Sequence, residues 1–133
     1  MIRKPTKSEL ELIEYLIGEA NYTPELNWKE TLMVSPMDDG GMGSLRLFTE
    51  KRCEPNRIFG RAISSCAFYD MDKVPVCATL ITDQDNKLFE LDMFKGDFSK
   101  LINIPHRDCY TSWEEYQEQT KEFRPAGERF SKK

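Results

Sequence analysis

The sequence contains one histidine, no Cys-x-x-Cys pair and no long hydrophobic run. A zinc site needs about four Cys, His or carboxylate ligands. The four cysteines (Cys53, Cys66, Cys77 and Cys109) are dispersed, so they favour reduced thiols over a zinc knuckle or a disulfide framework. Charged residues interrupt every apolar stretch near the N-terminus, which predicts a cytoplasmic protein with no signal peptide and no membrane span.

Positive charge is also in the minority. The chain has 19 Lys and Arg against 23 Asp and Glu, a formal net charge of −4. Nucleic-acid binding is therefore not expected, because its affinity comes largely from Lys and Arg. The 133 residues, 39% of them hydrophobic, are enough for one domain with its own core. We expect a single domain over residues 1–120 and a flexible basic tail over residues 121–133.

Two hydrophobic periods along the chain predict an α+β fold. Thr6 and Glu9 form a capping box, and the helical spacing that follows predicts a helix over residues 7–20. From Thr31 onwards apolar and polar residues alternate, which predicts an antiparallel meander of about five strands with the helix packed on one face. After a first hairpin, strands are expected at about 58–69, 74–82 and 88–94. Thr111 or Ser112 would cap a short C-terminal helix.

Turn residues give an expected register for each hairpin. A type I′ turn at Asp39-Gly40 predicts three facing pairs: Val34 with Leu45, Leu32 with Leu47, and Met37 with Met42. Two-residue turns in the later hairpins predict one apolar face, formed by Ile63, Ser65, Ala67, Val76, Ala78, Leu80, Phe89, Leu91 and Met93. Pro36 cannot donate to a ladder, so the first hairpin should lie at a sheet edge.

The opposite face would then carry Cys66, Cys77 and Asp92 in one cross-strand row. Zinc accepts Cys and Asp ligands, and a thiolate can act as a nucleophile. A neighbouring carboxylate, however, raises the pKa of a thiol and disfavours the nucleophile. This row supports one hypothesis, a small-ligand or metal-binding domain or a hydrolase. No complete catalytic set, metal site or cofactor loop is assembled, so we assign no catalytic residue, metal ligand or cofactor.

Two stretches carry a resemblance to a known family. They are VSPMDDGGMGSLRLF over residues 34–48 and LFELDMFKGDFS over residues 88–99, the latter followed by Ile104-Pro105. The sequence resembles a family of small bacterial proteins catalogued only as a domain of unknown function, from the first helix to Pro105. The resemblance implies no activity. Similar small α+β proteins include the immunity proteins of bacterial toxin systems, which cover a toxin's active site.

The favoured hypothesis is a non-enzymatic module that binds a protein with a basic surface. Methionine is adaptable at binding surfaces, and acidic groups complementary to a basic partner favour association rate and selectivity. The candidate partner-binding residues are Met37, Asp38, Asp39, Met42, Glu90, Asp92 and Asp97. A third hypothesis is a homodimer contact along the hairpin edge near Pro36.

Overall fold

The structure, a computed structural model, describes residues 1–49 and 56–120. The helices are α1 (Lys7–Glu19), α2 (Trp28–Thr31) and α3 (Trp113–Thr120), and the strands are β1 (Met33–Pro36), β2 (Leu45–Phe48), β3 (Phe59–Tyr69), β4 (Pro75–Asp83), β5 (Leu88–Lys95) and β6 (Thr111–Ser112). The predicted α+β fold is confirmed, although the sheet has six strands rather than about five. Cys53 and the predicted tail, residues 121–133, lie outside the described residues. Within the described part, no helix is both long and apolar enough to cross a membrane.

The strands lie in the order β1-β2-β5-β4-β3-β6, and every neighbouring pair is antiparallel. The strands β3, β4 and β5 follow one another as in a meander, but the β1–β2 hairpin joins β5 instead of β3. Arg57, just before β3, donates hydrogen bonds to the carbonyl oxygens of Leu47 and Leu88 and forms an ion pair with Asp83. These long-range contacts tie the start of β3 to β2 and β5. As predicted, β1 is an edge strand and Pro36 is exposed.

The core lies between α1 and one face of the sheet. The helix begins at the predicted capping box, in which Glu9 N donates to Thr6 Oγ1 and Thr6 N donates to Glu9 Oε1. The helix side of the core is apolar and buried, and it consists of Leu12, Ile13, Leu16 and Ile17. The sheet side includes Leu32, Val34, Leu45 and Leu47, as predicted, together with Phe68, Val76, Ala78, Leu80, Leu91 and Met93.

The hairpin of β3 and β4 has a three-residue turn, which changes the predicted facing of β3. Asp70 N donates to Val74 O, and Lys73 closes the turn in the left-handed region with φ of 68°. A three-residue turn ending in a left-handed residue is a common hairpin connection. It moves the cross-strand pairs of Ser64 to Tyr69 by one residue relative to a two-residue turn, up to a bulge between Ala62 and Ser64, and a shift of one exchanges the two faces.

The predicted row of Cys66, Cys77 and Asp92 is therefore wrong. Cys66 is fully buried in the cluster that packs against α1, whereas Cys77 is half-buried on the opposite side of the sheet. Ala67 is the residue that pairs with Cys77. Ser65 lies two residues before Ala67 on β3 and therefore on the same face. The prediction that Ser65 and Ala67 face α1 is wrong for the same reason.

The hairpin of β4 and β5 keeps the predicted facing because two shifts of one residue add up to two, which leaves parity unchanged. Its turn also has three residues and ends at Asn86, with φ of 63°, and Phe89 is an extra residue of β5 that moves the register by one more. Leu80 consequently pairs with Leu91 instead of Phe89, yet both remain on the core face. Phe89 leaves the core cluster, and the guanidinium groups of two arginines cover its ring.

Candidate functional site

The loop between β1 and β2, residues 37–44, is the acidic loop. Met37 N donates to Ser44 O, so the loop is longer than the predicted two-residue turn, and Met37 does not face Met42. The Asp39 carboxylate accepts backbone hydrogen bonds from Gly41 at 3.2 Å, Met42 at 3.1 Å and Ser44 at 3.0 Å. An aspartate side chain that bonds the backbone ahead of it stabilises such a loop. Burial alone would raise the pKa of Asp39, but a hydrogen bond with the Ser44 side chain and these backbone hydrogen bonds lower it.

Two of the loop's glycines are needed where the loop meets residues 100–101. Gly41 and Gly43 have φ of 86° and 106°, and a Cβ at Gly43 would lie 2.9 Å from Leu101 Cδ2. Leu101 N donates to Gly41 O at 3.0 Å, which fixes this contact. Ser44 Oγ is bonded to both the N and the O of Met93 on β5. The loop is therefore held rigidly against β5 and the segment that follows it, so the two stretches that carry the resemblance form one packed unit.

A buried charge cluster anchors the same unit. Lys95, at the end of β5, is fully buried, and its Nζ contacts Asp70 Oδ2 at 2.9 Å, Asp72 Oδ2 at 2.7 Å and Lys100 O at 2.9 Å. Asp70 also accepts backbone hydrogen bonds, including one from Ile102 N at 2.8 Å. Burial opposes both charges, but these bonds outweigh it, so the pKa of Asp70 is lowered and that of Lys95 is raised. The cluster positions residues 100–103 structurally.

This cluster is not among the residues predicted above, although the sequence contains a signal for it. Lys95 continues the alternation of Leu91 and Met93 on the core face, and a lysine at such a position requires a buried acidic partner. Asp70 and Asp72 lie in the turn next to the end of β5. In the segment that follows β5, Phe98 and Ile102 are exposed.

The structure separates the candidate acidic residues into three groups. Glu90 is paired with Arg46 at 3.0 Å, and only 16% of its side chain is exposed. Asp97 is exposed, and its Oδ1 accepts hydrogen bonds from Ser99 N and Oγ that lower its pKa. Asp38 and Asp92 are exposed, and neither has an ion pair among the described residues.

Asp39 and Asp92 come close enough together to interact electrostatically. Burial raises the pKa of Asp92, and the negative charge of Asp39 raises it further. Asp92 lies on the side of the sheet opposite α1, the second face, which also carries Thr79, Cys77 and Phe94. The Asp39 and Asp92 carboxylates therefore form a negative centre between the acidic loop and the second face.

The second face has an apolar groove beside this negative centre. Its floor is the cross-strand row of Ala67, Cys77 and Phe94, and Trp113 and Tyr116 of α3 form one wall. The groove has a volume of about 210 Å³. The sequence predicted α3 but not its packing position, which depends on tertiary contacts.

Cys66 and Cys77 show no features of a catalytic or metal site. Burial raises the pKa of Cys66 to about 12. Burial also raises the pKa of Cys77, which the charge of Asp92 raises further and a hydrogen bond with Thr79 partly offsets. Both side chains are neutral thiols at pH 7, whereas a nucleophilic cysteine reacts as a thiolate. Among the described residues, no group of three Cys, His, Asp or Glu side chains could hold a metal ion.

Phe98 is the most unusual residue near the groove. Its side chain is 68% exposed and its φ is 66°, a left-handed conformation that costs a bulky residue about 1 kcal/mol. Its ring packs edge-on against Phe94, which is itself 45% exposed, with centroids 5.3 Å apart. The backbone is thus strained at the position that presents an aromatic ring to solvent.

Comparison with known proteins identifies a family and no closer relative. No curated protein and no solved structure matches the chain. The family described as Domain of unknown function (DUF6984) matches residues 2–105, which include the acidic loop, the charge cluster and most of the groove. This agrees with the extent of the resemblance inferred from the sequence. The chain therefore belongs to the family Domain of unknown function (DUF6984).

Proposed function

We propose that the protein is a non-enzymatic binding module for another protein. Its binding surface consists of Asp38, Asp39, Asp92, Phe94 and Phe98 and is called the acidic–aromatic surface below. The strained and exposed Phe98 is the observation that carries the proposal. Residues held in sparsely populated backbone conformations cluster at functional sites, and exposed aromatic rings are typical anchors of protein interfaces.

The charges favour a partner with a basic surface. Asp38 and Asp92 have no ion pair in the described part of the chain, and the neighbouring Asp39 is held by neutral donors, the backbone amides of Gly41, Met42 and Ser44 and the Ser44 side chain. A cationic group placed between Asp39 and Asp92 would relieve their mutual repulsion, which is reflected in the raised pKa of Asp92. Complementary charges of this kind increase the association rate and exclude partners of the wrong sign.

The rigidity of the surface also supports binding. The acidic loop is fixed by Asp39, by Ser44 on β5 and by the contact of Gly41 with Leu101. A preorganised surface loses less conformational entropy when a partner binds. Met37 and Met42 flank the loop, and Met42 Sδ accepts a hydrogen bond from Lys95 N. We therefore assign these methionines to the rim of the surface and Glu90, which is paired with Arg46, to its support.

The bacterial and cytoplasmic setting inferred from the sequence is part of this proposal. In that setting, one form of the interaction is an immunity-like role, in which the acidic–aromatic surface covers a basic site of a toxin. Nothing in the geometry favours the alternative ligand or metal site, because Cys66 lies on the core face, away from Cys77 and Asp92.

Cross-linking in the native cell tests the proposal. A photoreactive phenylalanine analogue is introduced at Phe98 in one variant and at Phe59 in another. Phe59 is a matched control, since it is 59% exposed and lies at the start of β3. We expect irradiation to produce one dominant protein adduct from position 98 and none of that mass from position 59. Equal adducts from both positions, or no protein adduct from position 98, would contradict the proposal.

A further inference from the structure

The groove on the second face has the size and lining of a pocket for one large apolar side chain. Cavities of about 150 Å³ in other proteins hold a benzene molecule, and this groove has a volume of about 210 Å³. The small side chains of Ala67 and Cys77 form the depression, and the rings of Phe94, Trp113 and Tyr116 border it. The polar atom at its floor, the Cys77 thiol, already contacts Thr79 Oγ1 at 3.9 Å.

A carboxylate lies beside this pocket at a defined spacing. Asp92 precedes Phe94 by two residues on the same strand, and such residues share a face about 7 Å apart. Its cross-strand neighbour is Thr79, whose Oγ1 is 2.8 Å from Ser65 Oγ. The Asp92 side chain has no hydrogen-bond partner within the described residues, and the charged group that acts on it is Asp39. The carboxylate is therefore available to a cation brought by whatever occupies the groove.

We propose that the groove and Asp92 together bind an extended segment of a partner protein that carries one large apolar side chain and, two residues away, a Lys or Arg. In an extended segment, residues i and i+2 lie on one side about 7 Å apart, which matches the spacing of Asp92 from Phe94 at the border of the groove. The inference rests on the proposed function and adds the chemistry of the segment that is bound. The two carboxylates select the cation, and the groove selects the apolar group.

Peptide selection against the full chain tests the inference. A random peptide library displayed on phage is selected on immobilised protein, and enriched peptides are synthesised and titrated by calorimetry. We expect enrichment of a large apolar residue spaced by one residue from Lys or Arg. Asp92→Asn should weaken these peptides about tenfold. Asp85→Asn is the matched control, because Asp85 is exposed in the turn at the opposite end of β5, and it should leave their affinity unchanged.

Thiol protection locates the bound peptide without any substitution. Cys77 lies in the groove, whereas Cys109 is exposed outside it. A saturating selected peptide should slow the modification of Cys77 by N-ethylmaleimide at least tenfold and leave that of Cys109 unchanged, as measured by peptide mass spectrometry. Protection of neither cysteine would show that the peptides bind elsewhere and would overturn the inference.

Three further outcomes overturn it. The first is enrichment of peptides without a cation, and the second is an equal effect of the Asp92→Asn and Asp85→Asn variants. The third is faster modification of Cys77 in a full chain carrying Phe123→Ala and Phe130→Ala, which would assign the groove to the chain's own C-terminal residues. A protein adduct from position 98 combined with peptides that lack the motif would leave the proposed function standing and refute only this inference.

Discussion

Replacing Asp70 by asparagine removes one buried oxygen from the charge cluster and puts an amide NH₂ in its place. In the native protein Oδ1 accepts from Met71 N at 2.7 Å and Asn103 N at 3.0 Å, and Oδ2 accepts from Lys95 Nζ at 2.9 Å and Ile102 N at 2.8 Å. Whichever way the asparagine amide is oriented, its NH₂ group therefore meets two donors. The substitution is nearly isosteric, so its effect measures hydrogen bonding and charge.

The geometry gives the size of the effect. At least two donors lose their acceptor at Asp70, a residue that is only 4% exposed. An unsatisfied buried donor costs about 1–3 kcal/mol, so we expect the free energy of unfolding to fall by about 2–5 kcal/mol. Small domains have a total stability of about 5–15 kcal/mol, so Asp70→Asn removes a large fraction of it.

Asp72→Asn is the matched control for this prediction. Each Asp72 oxygen accepts one hydrogen bond, from Lys95 Nζ at 2.7 Å and from Val74 N at 3.2 Å, and its side chain is 36% exposed. An asparagine retains the bond to Lys95 and loses the longer one, at a cost of about 1 kcal/mol. Urea unfolding followed by circular dichroism at pH 7 measures both variants. A loss below about 1 kcal/mol for Asp70→Asn, or equal losses for the two variants, would refute the reasoning.

Three other predictions follow from burial and charge. Folding lowers the pKa values of Asp70 and Asp83 from 3.8. The stability that these two carboxylates contribute to the folded protein is therefore full above pH 3.8 and is lost as the pH falls through the lowered pKa values. Urea midpoints should drop steeply below about pH 4. Folding raises the pKa of Asp92, so its ionised form opposes folding at pH 7. Asp92→Asn should therefore increase the free energy of unfolding at pH 7 by less than about 1 kcal/mol. Below pH 3.8 the variant and the parent protein should no longer differ in stability. Cys109 should react with a maleimide in the folded protein and Cys66 only on unfolding, as followed by mass spectrometry.

Local signals in the sequence were sufficient for α1 and α3 and for most of the core. The capping box of Thr6 and Glu9 sets the start of α1, because both of its hydrogen bonds are formed by residues three positions apart. Alternation placed the apolar residues of β1, β2 and β4 and, on β5, Leu91 and Met93 on the core face correctly, whereas Phe89 was placed there wrongly. A register error of two residues leaves this assignment unchanged, since facing depends on parity.

Turn length limited the prediction of the candidate site. Lys73 closes the β3–β4 turn in a left-handed conformation, which a lysine in the sequence does not predict. The resulting shift of one residue places Ala67 on the second face instead of the predicted Cys66. In the next hairpin Phe89 restored the parity, which no local pattern indicates. The carboxylates of the acidic loop were identified from the sequence. The aromatic side chains of the groove were not, because they come together only when α3 packs beside β5.

The central claim is that the acidic–aromatic surface binds a protein partner through the strained Phe98. It is tested most directly by measuring stability and partner affinity together for Phe98→Asn and for the control Phe59→Asn. Asparagine tolerates the left-handed conformation, so Phe98→Asn should stay within about 1 kcal/mol of the parent protein in unfolding free energy. It should also bind the partner identified by cross-linking at least tenfold more weakly, whereas Phe59→Asn should bind as the parent protein does. Unchanged affinity of the Phe98→Asn variant would contradict the account.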